Sequence, residues 1–165
     1  SIYARRWAGR IAKRIGTVPE TFAVMREPLE HLGSWYRYRQ RDALKGHENS
    51  THGISFEEFV RARLSDDPPP FARIGRQDRF MGFLNGGPPV NYIFDYARLD
   101  LLVLFLSERL GTDLALPTRN VSPTAASGGL VLPESLMAAL KEAHAGEFAL
   151  YEQVSDQGVL ETPSV

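Results

Sequence analysis

Arg26 and Ser34 have types and spacing suited to holding an anion. They lie in the run Thr21 to Asp42, TFAVMREPLEHLGSWYRYRQRD. An apolar run of strand length ends on Arg26, Pro28 follows, and a helix-period pattern then carries Ser34 among tyrosines and arginines. Open α/β folds bind ligands outside the carboxyl ends of their strands. A guanidinium fork placed there matches two phosphate oxygens. The free N–H groups at the start of a following helix favour the same charge. Ser34 falls about two turns into that helix, so its hydroxyl reaches the anion only if the ligand runs alongside the helix. The pattern is that of a phosphate held by an arginine at a strand tip and a serine on a helix flank. A plainer account uses the same residues: Arg26 paired with Glu27 or Glu30 on the surface, and Ser34 as a small packing residue.

Other candidates are weaker singly. Arg119, in Arg119-Asn120-Val121-Ser122, can approach an anion or simply face water. Ser127, Gly128 and Gly129 can form a backbone anion nest or a hinge. His31 is expected to be solvated or partly packed, and His47 and His52 flank a polar loop. No carboxylate stands at ligand spacing from them, so no metal site is expected. Trp35, Tyr36 and Tyr38 can stack on a sugar or adenine, although aromatics at helical spacing more often belong to a core. Arg37, Arg39 and Arg41 can line a groove for an anionic glycan or form a solvated face.

The elements that must position these residues follow from periodicity and punctuation. Residues 1–15 have the pattern of an amphipathic helix stopped by Gly16. Thr21 to Met25 is a strand. Pro28 suits a first helical turn, and the helix it opens should run to about Leu44. Ser55 and Glu58 form a capping box for a helix to about Leu64, and Asp66-Asp67-Pro68-Pro69-Pro70 breaks the chain. Gln77 to Leu84 is a short amphipathic piece. Val90 to Tyr96 is a second strand, expected to lie beside the first, parallel to it, with helices on both sheet faces. Asp100 is expected to cap an apolar, buried helix from Leu101 to Leu110. Residues 116–129 form an irregular loop, and Pro133 opens a helix to about His144. The chain after Ser155 is expected to be a frayed tail.

Composition bounds the function. The chain has 165 residues, 43% of them hydrophobic, which suits one globular domain with a core of its own. Net charge is −1, so no global field recruits nucleic acid. Residues 1–46 nevertheless hold ten Lys/Arg and four Asp/Glu, which suits an anionic ligand or a solvated helix face. The absence of cysteine excludes disulfides, thiolate metal sites and thiol nucleophiles. No stretch is long and apolar enough to span a membrane, and no signal peptide is visible. A cytoplasmic location is therefore the expectation.

The run FAVMREPLEHLGSWYRYR resembles the 3′-phosphate-binding segment of sulfotransferases that use 3′-phosphoadenosine 5′-phosphosulfate. That family has an apolar strand, Arg-x-Pro, five residues, then Ser and an aromatic-rich helix, matched here by Arg26, Pro28, Ser34, Trp35 and Tyr36. Downstream, SFEEFV, VNYIFDYARLDLLVLFLSERLG, LPTRNVSP and EFALYEQV resemble later elements of the family in order. The likeness covers about residues 1–154 and is closest to the bacterial and carbohydrate-directed branch. It implies a three-layer, P-loop-like α/β fold with a small parallel sheet flanked by helices. It also implies that Arg26 and Ser34 bind the 3′-phosphate of the sulfate donor, and that a sulfuryl group passes in line to a hydroxyl of a small-molecule or carbohydrate acceptor, without a metal. The family's 5′-phosphosulfate loop, with its glycines and lysine, should lie ahead of Ser1, and Gly86-Gly87 has no lysine to replace it. The chain is thus expected to be the C-terminal portion of such an enzyme or a nucleotide-phosphate-binding module without transfer chemistry. A sheet lacking its first strand would expose an edge and favour self-association. A nucleotide kinase relative would need its own lysine loop and a metal-binding carboxylate, and neither is visible.

Overall fold

The computed structural model describes residues 2–82, 90–116 and 130–162. The described residues form seven α-helices and one three-stranded sheet: α1 Ile2–Ile15, β1 Phe22–Met25, α2 Pro28–Arg39, α3 Phe56–Arg63, α4 Gln77–Met81, β2 Tyr92–Asp95, α5 Leu99–Leu110, α6 Glu134–Ala143, α7 Ala145–Gln157 and β3 Val159–Glu161. Among them, no helix is long and apolar enough to cross a membrane. The sequence reading expects one domain. The chain divides into two compact units, one of Ser1–Arg26, Gly75–Leu116 and Ala149–Val165, the other of Glu27–Ile74 and Pro117–Phe148.

The first unit carries the sheet, in the order β1-β2-β3. β1 and β2 are parallel neighbours, as their sequences imply, with Phe22 opposite Tyr92 and Met25 opposite Asp95. Thr21, expected inside the strand, instead fixes its start. Its N–H and hydroxyl donate to Asn91 Oδ1 at 2.8 and 2.9 Å, and Asn91 N–H donates back to Thr21 Oγ1 at 3.2 Å. Side chains alternate across the sheet as the pleat requires. Ala23, Met25 and Ile93 pack with Met81, Leu150, Val154 and Leu160 on one face. On the other, Tyr92 and Phe94 meet the Phe105 ring of α5 at 4.8 and 5.2 Å. Helices therefore cover both faces, α7 on one and α5 on the other.

Several expectations for this unit fail. The sheet is mixed, because the supposed frayed tail continues α7 to Gln157 and then forms β3, antiparallel to β2. Val159-Leu160-Glu161 is too short to announce a strand by propensity. Gly158 makes the turn with φ +74°, and a Cβ there would sit 2.6 Å from Leu101 Cδ1. The strand is held by Asp95 N–H donating to the Gly158 carbonyl at 2.9 Å and Thr162 N–H to that of Asn91 at 2.9 Å. Asp100 does not cap α5 either. Arg98 is the cap residue, and Asp100 lies in the first turn, paired with Arg98 at 3.0 Å. α5 is apolar but not buried all round: Leu102 is buried, whereas Leu104 is 56% exposed.

In the second unit, Glu27 caps α2 by accepting the Glu30 N–H at 2.7 Å, with Pro28 in the first turn. The helix ends at Arg39, short of the expected Leu44. The polar loop returns to its last turn: buried Thr51 donates its N–H to the Arg39 carbonyl and its hydroxyl to that of Tyr36. The end carbonyls that an extra turn would use are thereby satisfied. Residues 42–44 form a separate 3-10 turn. The capping box of α3 forms as expected, with Ser55 N–H donating to Glu58 Oε2 at 2.8 Å and Glu58 N–H to Ser55 Oγ at 3.2 Å. Leu32, Phe56, Phe59, Val60, Leu136 and Leu140 form the core. Gly33 permits a close approach, though by a side chain: a Cβ there would fall 1.9 Å from Leu130 Cδ1.

Candidate functional site at the carboxyl ends of the parallel strands

Arg26 is the first residue beyond β1, and Tyr96 the first beyond β2. Met25 and Asp95 are partners in register, so the parallel ladder delivers Arg26 and Tyr96 side by side. The Arg26 guanidinium lies over the Tyr96 ring, 3.8 Å from its centroid. Tyr96 is 47% exposed. The backbone of Arg26 is held as firmly as its side chain. Its N–H donates to Gln77 Oε1 at 3.0 Å, and Gln77 Nε2 donates to its carbonyl at 2.9 Å. One buried amide from α4 thus takes up both backbone polar groups of Arg26.

Asp95 is buried beneath this tip. Its carboxylate accepts the Ala97 N–H at 3.0 Å and the Tyr151 hydroxyl at 3.4 Å. The first bond shapes the turn that presents Tyr96. Beyond it, Arg98 and Asp100 form an exposed pair; the hydrogen bond between them raises the guanidinium pKa and lowers that of the carboxyl. At the start of α4, Asp78 is buried against Arg76 at 2.5 Å. A guanidinium fixed on an aromatic face at a strand's carboxyl end keeps its edge N–H groups for a planar or tetrahedral anion.

Ser34 lies in α2, in the second unit, half-buried, and its hydroxyl hydrogen-bonds no other described residue. The carboxylates of the plainer account are engaged within that unit: Glu27 caps α2, and Glu30 pairs with Arg37 at 3.6 Å. Tyr36 is a core residue, its hydroxyl donating to the Ile54 carbonyl at 2.7 Å between the Phe56 and Phe59 rings. Burial raises its pKa. His31 Nε2 accepts from the Trp35 indole at 3.1 Å, His47 Nδ1 accepts the Asn49 N–H, and His52 Nδ1 bonds Ser50 Oγ. Arg39 is a clamp, its guanidinium donating to the carbonyls of Pro70, Phe71 and Arg73. Among the described residues, no three His, Asp or Glu side chains cluster as metal ligands. Arg119, Ser127, Gly128, Gly129, Gly86 and Gly87 lie outside the described residues.

Three features escaped the sequence. Gln77 and Tyr96 become partners of Arg26 only through long-range packing, although Tyr96 could have been found as the aromatic residue following the second strand. The buried pair of His144 Nδ1 and Glu147 Oε2, 3.1 Å apart, had only an i, i+3 spacing to announce it. Comparison of the chain with family models, with curated proteins and with solved structures finds no match.

Proposed function

We propose that the chain is a sulfotransferase, or the C-terminal portion of one, transferring a sulfuryl group from 3′-phosphoadenosine 5′-phosphosulfate to an acceptor hydroxyl, with a carbohydrate the acceptor class favoured. The observation that carries this reading is the placement of Arg26. The residue that the resemblance assigns to the 3′-phosphate stands at the carboxyl end of a parallel strand, its guanidinium stacked on Tyr96 and its backbone bracketed by Gln77. The P-loop-like form of the fold belongs to the same reading, supported by the parallel β1–β2 pair with helices on both faces.

Arg26 by itself suits the nucleotide's 3′-phosphate as a two-pronged donor; the resemblance assigns the Ser34 hydroxyl to the same anion, and that hydroxyl bonds no other described residue. Both anchor rather than react. When bound, the donor supplies an activated sulfuryl group for in-line attack by a deprotonated hydroxyl. Holding Arg26 in place before binding lowers the ordering cost of capturing the phosphate.

The test is calorimetric titration of adenosine 3′,5′-bisphosphate, followed by a transfer assay with the labelled donor. Binding that Arg26→Ala abolishes without lowering the melting temperature supports the reading. Binding without transfer would assign a nucleotide-phosphate-binding module. Equal affinity in wild type and Arg26→Ala returns Arg26 to a structural role.

A further inference from the structure

His31, Trp35 and Tyr38 follow one another at single-turn spacing and share one face of α2. Trp35 is 39% and Tyr38 46% exposed, whereas Tyr36 points into the core. The exposed rings are held in place. The indole N–H donates to His31 Nε2 at 3.1 Å, and the two rings meet edge to face, 5.7 Å apart at 77°. Each carries a guanidinium. That of Arg39, anchored by three carbonyls, lies 5.5 Å from the Trp35 centroid, and that of Arg41 lies 4.5 Å from the Tyr38 centroid. Arg41 is exposed and forms no ion pair with a described residue.

Exposed, immobilised aromatic rings beside an uncompensated cation form a recognition surface rather than a core. Single-stranded nucleic acid stacks successive bases on successive ring faces. An edge-to-face pair does not offer two parallel platforms to adjacent bases. It suits a ligand that lays one apolar face on one ring and extends an anionic group sideways. A pyranose bearing a carboxylate or sulfate has this form: its C–H face packs on the ring and its anion meets the Arg41 fork. The geometry points to this face of α2 as a binding site for an anionic oligosaccharide. As the acceptor of sulfuryl transfer, that sugar rests on the function proposed above; the binding face itself does not.

Trp7 and Trp35 are the chain's two tryptophans, and Trp7 is exposed. The full chain carrying Trp7→Phe therefore reports Trp35 alone by its fluorescence. It is titrated with a uronate- and sulfate-bearing oligosaccharide, a neutral glucan of equal length, and a single-stranded oligonucleotide of equal charge. A saturable change in Trp35 emission is expected with the anionic sugar, weakened by salt. Arg41→Glu and Tyr38→Ala should each lower its affinity about fivefold or more, with unchanged circular dichroism. The inference is overturned by no saturable change, by an equal response to the neutral glucan, by full affinity in both variants, or by tighter binding of the oligonucleotide. The calorimetric nucleotide titration is read separately, so loss of either binding activity leaves the other reading standing.

Discussion

The Cζ atom of Arg26 lies 3.8 Å from the centre of the Tyr96 ring, and each of these residues is the next step of its strand beyond a paired position. The stack is therefore a product of register: slipping β1 by one residue against β2 would separate the two side chains and reverse every face of the strand. Ligand affinity should depend on the ring as well as on the cation. Tyr96→Ala is expected to weaken adenosine 3′,5′-bisphosphate binding by about 0.5–2 kcal/mol, and Tyr96→Phe to leave it nearly unchanged, because the ring face rather than the hydroxyl supports the guanidinium. Titration calorimetry on the two variants distinguishes these outcomes.

Arg26→Ala removes a charge-assisted, two-pronged contact. The expected cost is about 2–4 kcal/mol, or ~30- to 1,000-fold in affinity. Arg26→Lys should rescue only part of it, since a lysine keeps the charge without the fork. The melting temperature without ligand should move little.

Ser34→Ala deletes one hydroxyl contact to a charged group and should cost less, about 1.5–3 kcal/mol of nucleotide affinity. Because the Ser34 hydroxyl bonds no other described residue, unfolding by denaturant should be almost unaffected. A large stability loss with unchanged affinity would mark Ser34 as a packing residue.

Glu58 links stability to pH. The Ser55 N–H and hydroxyl hold its carboxyl below the ordinary 4.5. A lowered folded pKa stabilises above the unfolded value, and that contribution is lost as pH falls through the folded one. Glu58→Gln should therefore melt below wild type at neutral pH, with the gap closing as pH drops below about 4. A gap that stays constant or widens in acid would contradict the assignment. Ser55→Ala, which removes the cap itself, should cost about 1 kcal/mol at neutral pH.

Gly158 should tolerate no side chain. Alanine there would adopt φ +74° and press a Cβ against Leu101. A loss of about 1–3 kcal/mol is expected in denaturant titrations, with faster amide exchange in Val159–Glu161. An unchanged stability would mean that β3 does not hold the sheet together.

Local signals were legible and distant ones were not. Pro28, the Ser55–Glu58 box and the apolar runs ending at Arg26 and Tyr96 each announce an element within a few residues. Those elements formed with bounds shifted by no more than a few positions, apart from the early end of α2. That end was hidden because Thr51, far along the chain, takes its last carbonyls. Asp100 is a strong capping type by residue identity, but the cap position falls on Arg98 because Asp95 turns the backbone three residues before it. The strand at Val159–Glu161 has almost no propensity of its own and exists because β2 offers an unpaired edge. At the site, Arg26 was visible as a lone cation ending an apolar run. Gln77 and Tyr96, which hold it, are 51 and 70 positions away in sequence and carry no mark of that role.

The sheet also constrains the order in which the molecule can be assembled. Its first two strands are tied by contacts across 70 residues, such as that of Thr21 with Asn91, and its third comes from the last few positions of the described chain. Loops of that length close slowly, and non-local pairings form late. During synthesis β1 must wait for β2, and β2 for β3, and the core beneath α2 and α3 must likewise wait for Leu136 and Leu140 of α6. The strand tip that holds Arg26 is assembled only once Gln77 and Tyr96 have joined it. A chain released before Val159 would leave the ribosome with the outer edge of β2 bare, at the stage when an unpaired strand is most prone to aggregation.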